Sequence, residues 1–377
     1  MTAAIHPRPA DTVLQARPLR VLAVSQYGRT STGGAERYLH EVCARLIALH
    51  GHEVRTVATD GGPGAGLSAV RYPLWSAGIN PAWAGELRRL LGDWRPDVLY
   101  VHHTVPGVTD VALRVAARLG VPAEVMYHSD VTGADLPRRL VGGLYQRLVG
   151  RGSLSSVRRV HVASAAYVDA SPVLKAFGRH RLVEAPPGVD PEMQAGKAVK
   201  APGYLLFVGK TDVPSKGFGV LLEAWQRLKV RFPGLELAVI GSGRPTAAQP
   251  GLRWIGRVES RSDLADWYAS ALATVLPSTT TAESFGMVLA ESLVAGTPVV
   301  ASRVGGLSAL VDEGQTGVLA EPGQVASLVQ ALETALMQND RLRANVATGR
   351  EALIRRFSWE RTAGIVAASL AAPGVPA

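Results

Sequence analysis

The sequence predicts an α/β protein of two domains, each an open parallel sheet flanked by helices. Three observations predict it. Short apolar, β-branched runs alternate with helix-length stretches along most of the chain, the pattern of successive βαβ units. That alternation breaks once, from Pro186-Pro187-Gly188-Val189-Asp190 to Pro202, where Pro, Gly and Lys replace apolar residues, and then restarts. The length, 377 residues, suits two domains at roughly 100 to 200 residues each.

The elements follow in order. Residues 1–17 mix Pro, Ala and charge without periodicity and read as a flexible tail. Leu19, Val21, Leu22, Ala23 and Val24 form a strand, Tyr27 to Gly34 a polar Gly-rich loop, and Leu39, Val42, Leu46 and Leu49 the apolar stripe of a helix that Gly51 closes. Val54 to Ala58 completes the first βαβ unit. Val98 to Val101, Ala123 to Tyr127 and Val160 to Ala163 are further buried strands in a domain spanning 18–187. After a linker at 188–202, a second domain at 203–357 has strands at Tyr204 to Val208, Leu235 to Ile240, Ala273 to Leu276 and Pro298 to Ala301. Its helices are expected at Val220 to Val230, Leu264 to Ala271, Met287 to Ala295, and from Ala326 through Met337 to Arg350. Ser358 can N-cap a terminal helix through Leu370, and residues 358–377 are expected to cross back to the first domain. Two such halves place a cleft between them, and open parallel sheets bind ligands outside the carboxyl ends of their strands.

Composition excludes several classes. With 47% apolar, 19% charged and 6% aromatic residues, the chain is neither disordered nor fibrous. One cysteine, Cys43, closes no disulfide and is too few for a Cys-based zinc site, which suits a reducing, cytoplasmic compartment. No apolar run reaches the ~18 residues a membrane span needs. The net charge of +9 is uneven: residues 1–187 hold 22 Lys+Arg against 14 Asp+Glu, and residues 188–377 hold 18 against 17. The basic half suits nucleic acid, an anionic membrane surface or a phosphorylated substrate.

The strongest local feature is Pro277 to Gly296. A polar loop leads into Glu283-Ser284-Phe285-Gly286, then a helix from Met287 that carries Glu291, with seven residues between the two carboxylates. Amides around Ser284 to Met287 are the unpaired donors of a helix start, suited to phosphate or sugar oxygens. Glu291 can accept from two ribose hydroxyls, and Glu283 can reach a sugar ring; the alternative is that both acids only favour the helix dipole. Lys210 and Lys216, after the strand Tyr204 to Val208, would neutralise a diphosphate. Tyr204 stands where a P-loop needs glycine, and Thr246 where Gly241-Ser242-Gly243 would need the third glycine of a dinucleotide fingerprint, so both motifs are set aside. Gly33-Gly34 before a helix either admits an anionic ligand or makes a tight turn. His128, in Tyr127-His128-Ser129-Asp130 beyond a strand, is either structural or a group projecting at the sheet edge. His102-His103 occupies an equivalent strand end without acidic or Cys partners at metal-ligand spacing, so no metal is expected. No Asp-x-Asp pair and no G-x-S-x-G is present.

Taken together, these motifs resemble the retaining GT-B glycosyltransferases of family four, across nearly the whole chain. The most specific stretch is Glu283-Ser284-Phe285-Gly286-Met287-Val288-Leu289-Ala290-Glu291, followed by Ala295-Gly296-Thr297-Pro298, Gly305-Gly306 and Gly314-Gln315-Thr316-Gly317. Gly33-Gly34-Ala35-Glu36, Pro187-Gly188-Val189-Asp190, Lys216-Gly217 and Gly256-Arg257-Val258 support it. The resemblance implies the GT-B architecture of two Rossmann-like domains and transfer of a hexose from a UDP- or GDP-linked sugar to an acceptor hydroxyl, with retention and no essential metal or other cofactor. It implies that Glu291 holds the ribose, and that Glu283 with Ser284, Phe285, Gly286 and Met287 holds the donor sugar and phosphates. Lys210 and Lys216 would balance the diphosphate, Gly33 and Gly34 would close over it, Arg257 and Val258 would edge the base, and His128 would orient the sugar. Catalysis of this kind stabilises the leaving diphosphate; front-face attack is the usual route, with Glu283 as covalent nucleophile the alternative. Two departures stand out. Lys210 replaces the family's arginine, losing bidentate phosphate contact, and Pro187 replaces the usual Asn before Gly188.

Between Pro137 and Ala163 six arginines (Arg138, Arg139, Arg147, Arg151, Arg158 and Arg159) interleave with Leu140, Val141, Leu144, Tyr145, Leu148 and Val149, without an acid. This is either a basic helix packed by its leucines or an amphipathic surface for an anionic leaflet. With the acceptor expected on the N-terminal domain, a glycan or lipid-linked acceptor of bacterial polysaccharide assembly fits, and the enzyme would be cytoplasmic and peripheral on the inner membrane face. A nucleotide-sugar epimerase or hydrolase of the same fold, and a basic nucleic-acid or membrane-binding module, are the competing classes; no RNA or DNA motif is present.

Overall fold

A computed structural model describes residues 17–25, 34–58, 70–71, 78–79, 82–103, 106–130, 136–145, 148–149, 151–198, 203–243, 249–281 and 283–373. The chain divides into two units: Met1–Pro186 with Trp359–Ala377, and Pro187–Ser358.

The first unit runs β1 (Arg20–Ser25), α1 (Gly34–Ala48), β2 (Glu53–Ala58), the short hairpin β3 (Val70–Arg71) and β4 (Gly78–Ile79), α2 (Trp83–Trp94), β5 (Val98–His103), α3 (Thr109–Arg118), β6 (Ala123–Tyr127), α4 (Leu136–Tyr145), α5 (Arg151–Ser155), β7 (Arg159–Val162), α6 (Ala165–Ala170), α7 (Pro172–Lys175) and β8 (Leu182–Glu184). Six of these strands form one sheet in the order β2-β1-β5-β6-β7-β8, every adjacent pair parallel. One face packs Leu99, Val101, Val125, Tyr127, Val160 and Val162 with Leu87, Leu91 and Leu113 of α2 and α3 into the main core. The opposite face is unusually polar: Tyr100, Glu124 and Arg159 share one register level, and His102, Met126 and His161 the next.

In the second unit β9 (Tyr204–Val208) leads to α8 (Phe218–Leu228), β10 (Glu236–Ile240), β11 (Leu252–Gly256), α9 (Arg261–Ser270), β12 (Ala273–Leu276), α10 (Met287–Val294), β13 (Val299–Ser302), β14 (Gly317–Ala320), α11 (Val325–Met337) and α12 (Asn339–Arg356). Its sheet order is β11-β10-β9-β12-β13-β14, again wholly parallel. The chain then enters α13 (Trp359–Ala371), which packs on α1 of the first unit through the Tyr38–Trp359 rings, 5.9 Å apart, and the Arg45–Glu360 ion pair at 2.9 Å.

Both sheets are the expected parallel α/β type, and differences lie at their edges. The expected single helix from Ala326 to Arg350 is two. Gln338 leaves helical geometry (φ −107°, ψ 17°), and Asn339 Nδ2 donates to Leu272 O at 2.6 Å, tying the break beneath β12. Strands β8, β11 and β14, and the hairpin, were not among the expected strands. Edge strands need not be apolar on both faces, so they lack the uninterrupted apolar runs of β5 or β6.

Candidate active site

In the second unit the strand order reverses between β9 and β12, because β10 lies on one side of β9 and β12 on the other. The crevice beyond the carboxyl ends of these two strands is where such sheets bind ligands. After β9 come Gly209 and the exposed Lys210, then a 3-10 turn over Pro214–Lys216. After β12 comes the loop into α10. These segments meet: Lys216 Nζ lies 2.6 Å from Glu283 Oε2, Ser278 Oγ donates to the same oxygen at 3.4 Å, and Thr279 N donates to Ser215 O at 2.9 Å.

Glycines allow the approach. Gly217 has φ +71°, and a Cβ there would stand 1.9 Å from Pro277 O. A Cβ on Gly306 would stand 1.9 Å from Ser284 O, while Gly306 N donates to Glu283 O at 3.0 Å. The loop carrying Glu283 and Ser284 is thus clamped between two backbones that only glycine lets come so close.

Phe285 is buried edge-on against Phe357, ring centres 5.6 Å apart. Gly286, with φ +88°, is the N-cap of α10 and has no side chain to accept from its first-turn amides. Those amides of Met287 and its neighbours, with the positive end of the helix dipole, point at the end of the helix that adjoins Lys216 and Glu283. One turn further, Glu291 is 5% exposed and accepts from Tyr268 Oη of α9 at 2.8 Å, which fixes its rotamer. Arg257 and Val258 follow β11; Arg257 is exposed and pairs with Glu259 at 2.9 Å.

In the first unit, Gly34 is the first residue of α1, and Gly33 lies outside the described residues. His128 follows β6 and is partly exposed. Its Nε2 is 2.9 Å from Nδ1 of His102, near the end of β5, and Tyr38 of α1 stands edge-on to it at 5.8 Å. Burial lowers the His128 pKa to about 4, so the ring is neutral near pH 7. Among the described residues, no group of three or more His, Cys, Asp or Glu side chains is placed to hold a metal ion.

Models of known families match both parts of the chain: glycosyltransferase family 4 over residues 32–193, and the group 1 glycosyl transferases over residues 202–338. The phosphatidyl-myo-inositol mannosyltransferase of Mycobacterium leprae is 30% identical over 90% of this chain and 93% of its own length. The chain belongs to the family 4, group 1 glycosyltransferases. Sucrose-phosphate synthase from Thermosynechococcus elongatus shares the GT-B fold, with a TM-score of 0.72 at 19% identity over 92% of this chain and 96% of that one. Anabaena HepE in complex with UDP does so with a TM-score of 0.67 at 16% identity, over 93% and 99%.

In this glycosyltransferase, then, Lys216, Glu283, Ser284, Gly286 and Met287 come together at one strand switch point, and Glu291 is held one helical turn away. Two supports were not singled out from the sequence. Tyr268 sits in a helix that reads as ordinary core, and Ser278 in a loop of similar hydroxyls; neither carries a spacing signal. The basic stretch also divides. Arg158 and Arg159 turn inward, pairing with the fully buried Glu124 at 2.9 and 3.2 Å and donating to Leu370 O and Ser369 O at the end of α13. They are therefore unavailable to a membrane. Arg138 and Arg139 stand in α4 and Arg151 opens α5, while Arg147 lies outside the described residues. Leu140, Leu144 and Leu148 are 65%, 58% and 71% exposed, so they do not pack a core. No described helix is long and apolar enough to cross a membrane.

Proposed function

We propose that this glycosyltransferase moves a hexose from a UDP- or GDP-linked sugar to a hydroxyl of a glycan or glycolipid, with retention at the anomeric carbon and without an essential metal. The observation that carries the reading is the Lys216–Glu283 pair at the N-terminus of α10, beyond the β9/β12 switch point. A departing nucleoside diphosphate needs positive charge; Lys216, held by Glu283, and the α10 amides supply it from fixed positions, and the exposed Lys210 adds to it, as a divalent cation does elsewhere. Glu291 takes the ribose hydroxyls, with Tyr268 holding its carboxylate; Arg257 and Val258 edge the base; Gly33 and Gly34 cover the diphosphate; His128 orients the sugar. The leaving phosphate then takes the acceptor proton in a front-face attack. A glycolipid acceptor is supported by the mannosyltransferase relative, whose name gives phosphatidyl-myo-inositol as its substrate. UDP bound to HepE supports a nucleotide donor.

The exposed leucines of α4, in the same helix as Arg138 and Arg139, support a peripheral stance on an anionic leaflet of the cytoplasmic membrane. The test incubates the full chain with UDP-glucose and with GDP-mannose, each with and without vesicles containing phosphatidylinositol and with excess EDTA. Glycolipid product of retained anomeric configuration, formed equally well in EDTA, is the expected result. Donor consumed at the same rate without acceptor makes the protein a hydrolase or epimerase instead. Failure to sediment with anionic vesicles removes the membrane reading alone.

A further inference from the structure

Beneath His128 lies a second imidazole that packing does not account for. His102, on β5, is 5% exposed and is enclosed by Tyr100, whose ring centre is 5.2 Å away, and Tyr38 at 5.8 Å. Its Nδ1 meets His128 Nε2 at 2.9 Å, whereas its Nε2 is buried with no hydrogen-bond partner among the described residues. Burying an imidazole costs desolvation. The hydrogen bond to His128 is the polar contact that offsets it, and a leucine would fill the same space without that cost.

We infer that His102 is a positioning residue: it fixes the ring plane and the tautomer of His128, so that His128 offers an Nδ1–H donor to a hydroxyl of the donor sugar. This rests on the reading that His128 acts at the sugar. Two neutral imidazoles in contact must share one N–H and one lone pair. Both are neutral near pH 7, since burial lowers His102 well below the ordinary imidazole value as it does His128. The titratable groups around the pair are Tyr38 and His40 of α1, Tyr100 of β5 and His161 of β7.

The position of the proton follows from the orphaned nitrogen. A proton on His102 Nε2 would be a buried N–H with no acceptor among the described residues, whereas a proton on Nδ1 leaves only an unmet lone pair, the lesser loss. His102 Nδ1–H therefore donates to His128 Nε2, and the proton of His128 resides on Nδ1. His128 as a whole residue is partly exposed, and Nδ1 is the ring nitrogen that the contact with His102 leaves free to donate.

The test compares wild type, His102→Leu, His102→Asn and His128→Ala as full chains. Three readouts apply: nucleoside diphosphate release from UDP-glucose or GDP-mannose, the affinity for the corresponding free diphosphate, and the ring-nitrogen spectrum of His128. The expected result is a slowing of about tenfold or more in His128→Ala and His102→Leu, from lost orientation of the reacting sugar. Free-diphosphate affinity should stay within about twofold, marking an effect on turnover rather than on binding. His102→Asn, whose amide can donate where Nδ1 does, should recover most of the rate. The His128 spectrum should show one Nδ1–H tautomer in wild type and a mixture in His102→Leu. Wild-type speed in His102→Leu beside a slow His128→Ala overturns the inference, and so does an Nε2–H tautomer in wild type. Wild-type speed in His128→Ala removes the sugar reading instead, and the spectrum then still decides the assignment to His102.

Discussion

At the scale of single residues, the proposed donor-site chemistry depends on how carboxylates are held. Glu291 is buried against Tyr268 Oη at 2.8 Å, so its orientation is set before any ligand arrives. Preorganisation of this kind lowers the entropy lost on binding. Glu291→Ala removes the proposed ribose acceptor, and its affinity for the preferred nucleoside diphosphate, read by calorimetry, should fall at least about tenfold, the loss of one charge-assisted hydrogen bond or more. Tyr268→Phe keeps the carboxylate and frees only its rotamer, so a smaller loss is expected. Equal affinities in wild type and Glu291→Ala would remove the ribose assignment. Both Lys216 and Glu283 stand out in the sequence, yet their pairing across 67 positions does not. Sequence spacing reports only neighbours along an element.

Among elements, two contacts decide placement. The loop before α10 is held by the Gly305-Gly306 turn, and Gly306→Ala puts a methyl 1.9 Å from Ser284 O. Backbone must give way there, at a cost of about 1–3 kcal/mol as in other overpacked sites. A lower unfolding midpoint together with weaker diphosphate binding is the expected pair of results; an unchanged midpoint would mean the turn has slack. The second contact anchors α13. Glu124, fully buried, accepts from Ser369 Oγ at 2.7 Å, pairs with Arg158, Arg159 and His161, and lets the two arginines bind the carbonyls that end the helix. Cations at a helix C-terminus meet its negative dipole end. Glu124→Gln leaves both guanidinium groups without their counter-charge, a loss of about 3–5 kcal/mol. Proteolysis should then release the C-terminal residues first, and an intact C-terminus under protease would contradict this account. A glutamate in the apolar frame of Ala123 to Tyr127 and two arginines in a basic run read separately in the sequence; the sheet register puts them side by side.

Across the whole molecule, pH links these groups. His128 has a folded pKa near 4 against an ordinary 6.5, so between those values the unfolded chain binds the proton that the folded chain refuses. Stability is therefore lost as pH falls from about 6.5 toward 4, and His102, also lowered by burial, adds to the loss in the same direction. Glu124, whose carboxyl pKa burial would raise but hydrogen bonds from His161 and Ser369 and the charge of Arg158 lower overall, contributes stability that disappears as pH falls below 4.5 through its folded value. Calorimetry from pH 7 down to 4 should show a falling midpoint, with a shallower slope in His102→Leu. A flat profile would mean the histidines are solvated. Nucleotides supply the second whole-molecule prediction: UDP or GDP at 100 times its dissociation constant should add about 2.7 kcal/mol, visible as a higher unfolding midpoint. No shift with any nucleoside diphosphate would undercut the donor site.

By itself the sequence determined the class of fold, because buried parallel strands must be apolar on both faces and helices on one, and these two periods survive in a one-dimensional string. It also picked out the residue types an anionic ligand needs beside a helix start. Tertiary structure decided what those residues touch. Only the strand order 11-10-9-12-13-14 of the second sheet brings the segment after β9 against the segment after β12. Only the side-by-side pairing of β5, β6 and β7 sets His102 against His128 and puts Glu124 where it draws Arg158 and Arg159 inward. Hydrogen bonds and ion pairs act over about 3 Å, and proximity on that scale belongs to the folded chain rather than to its spacing.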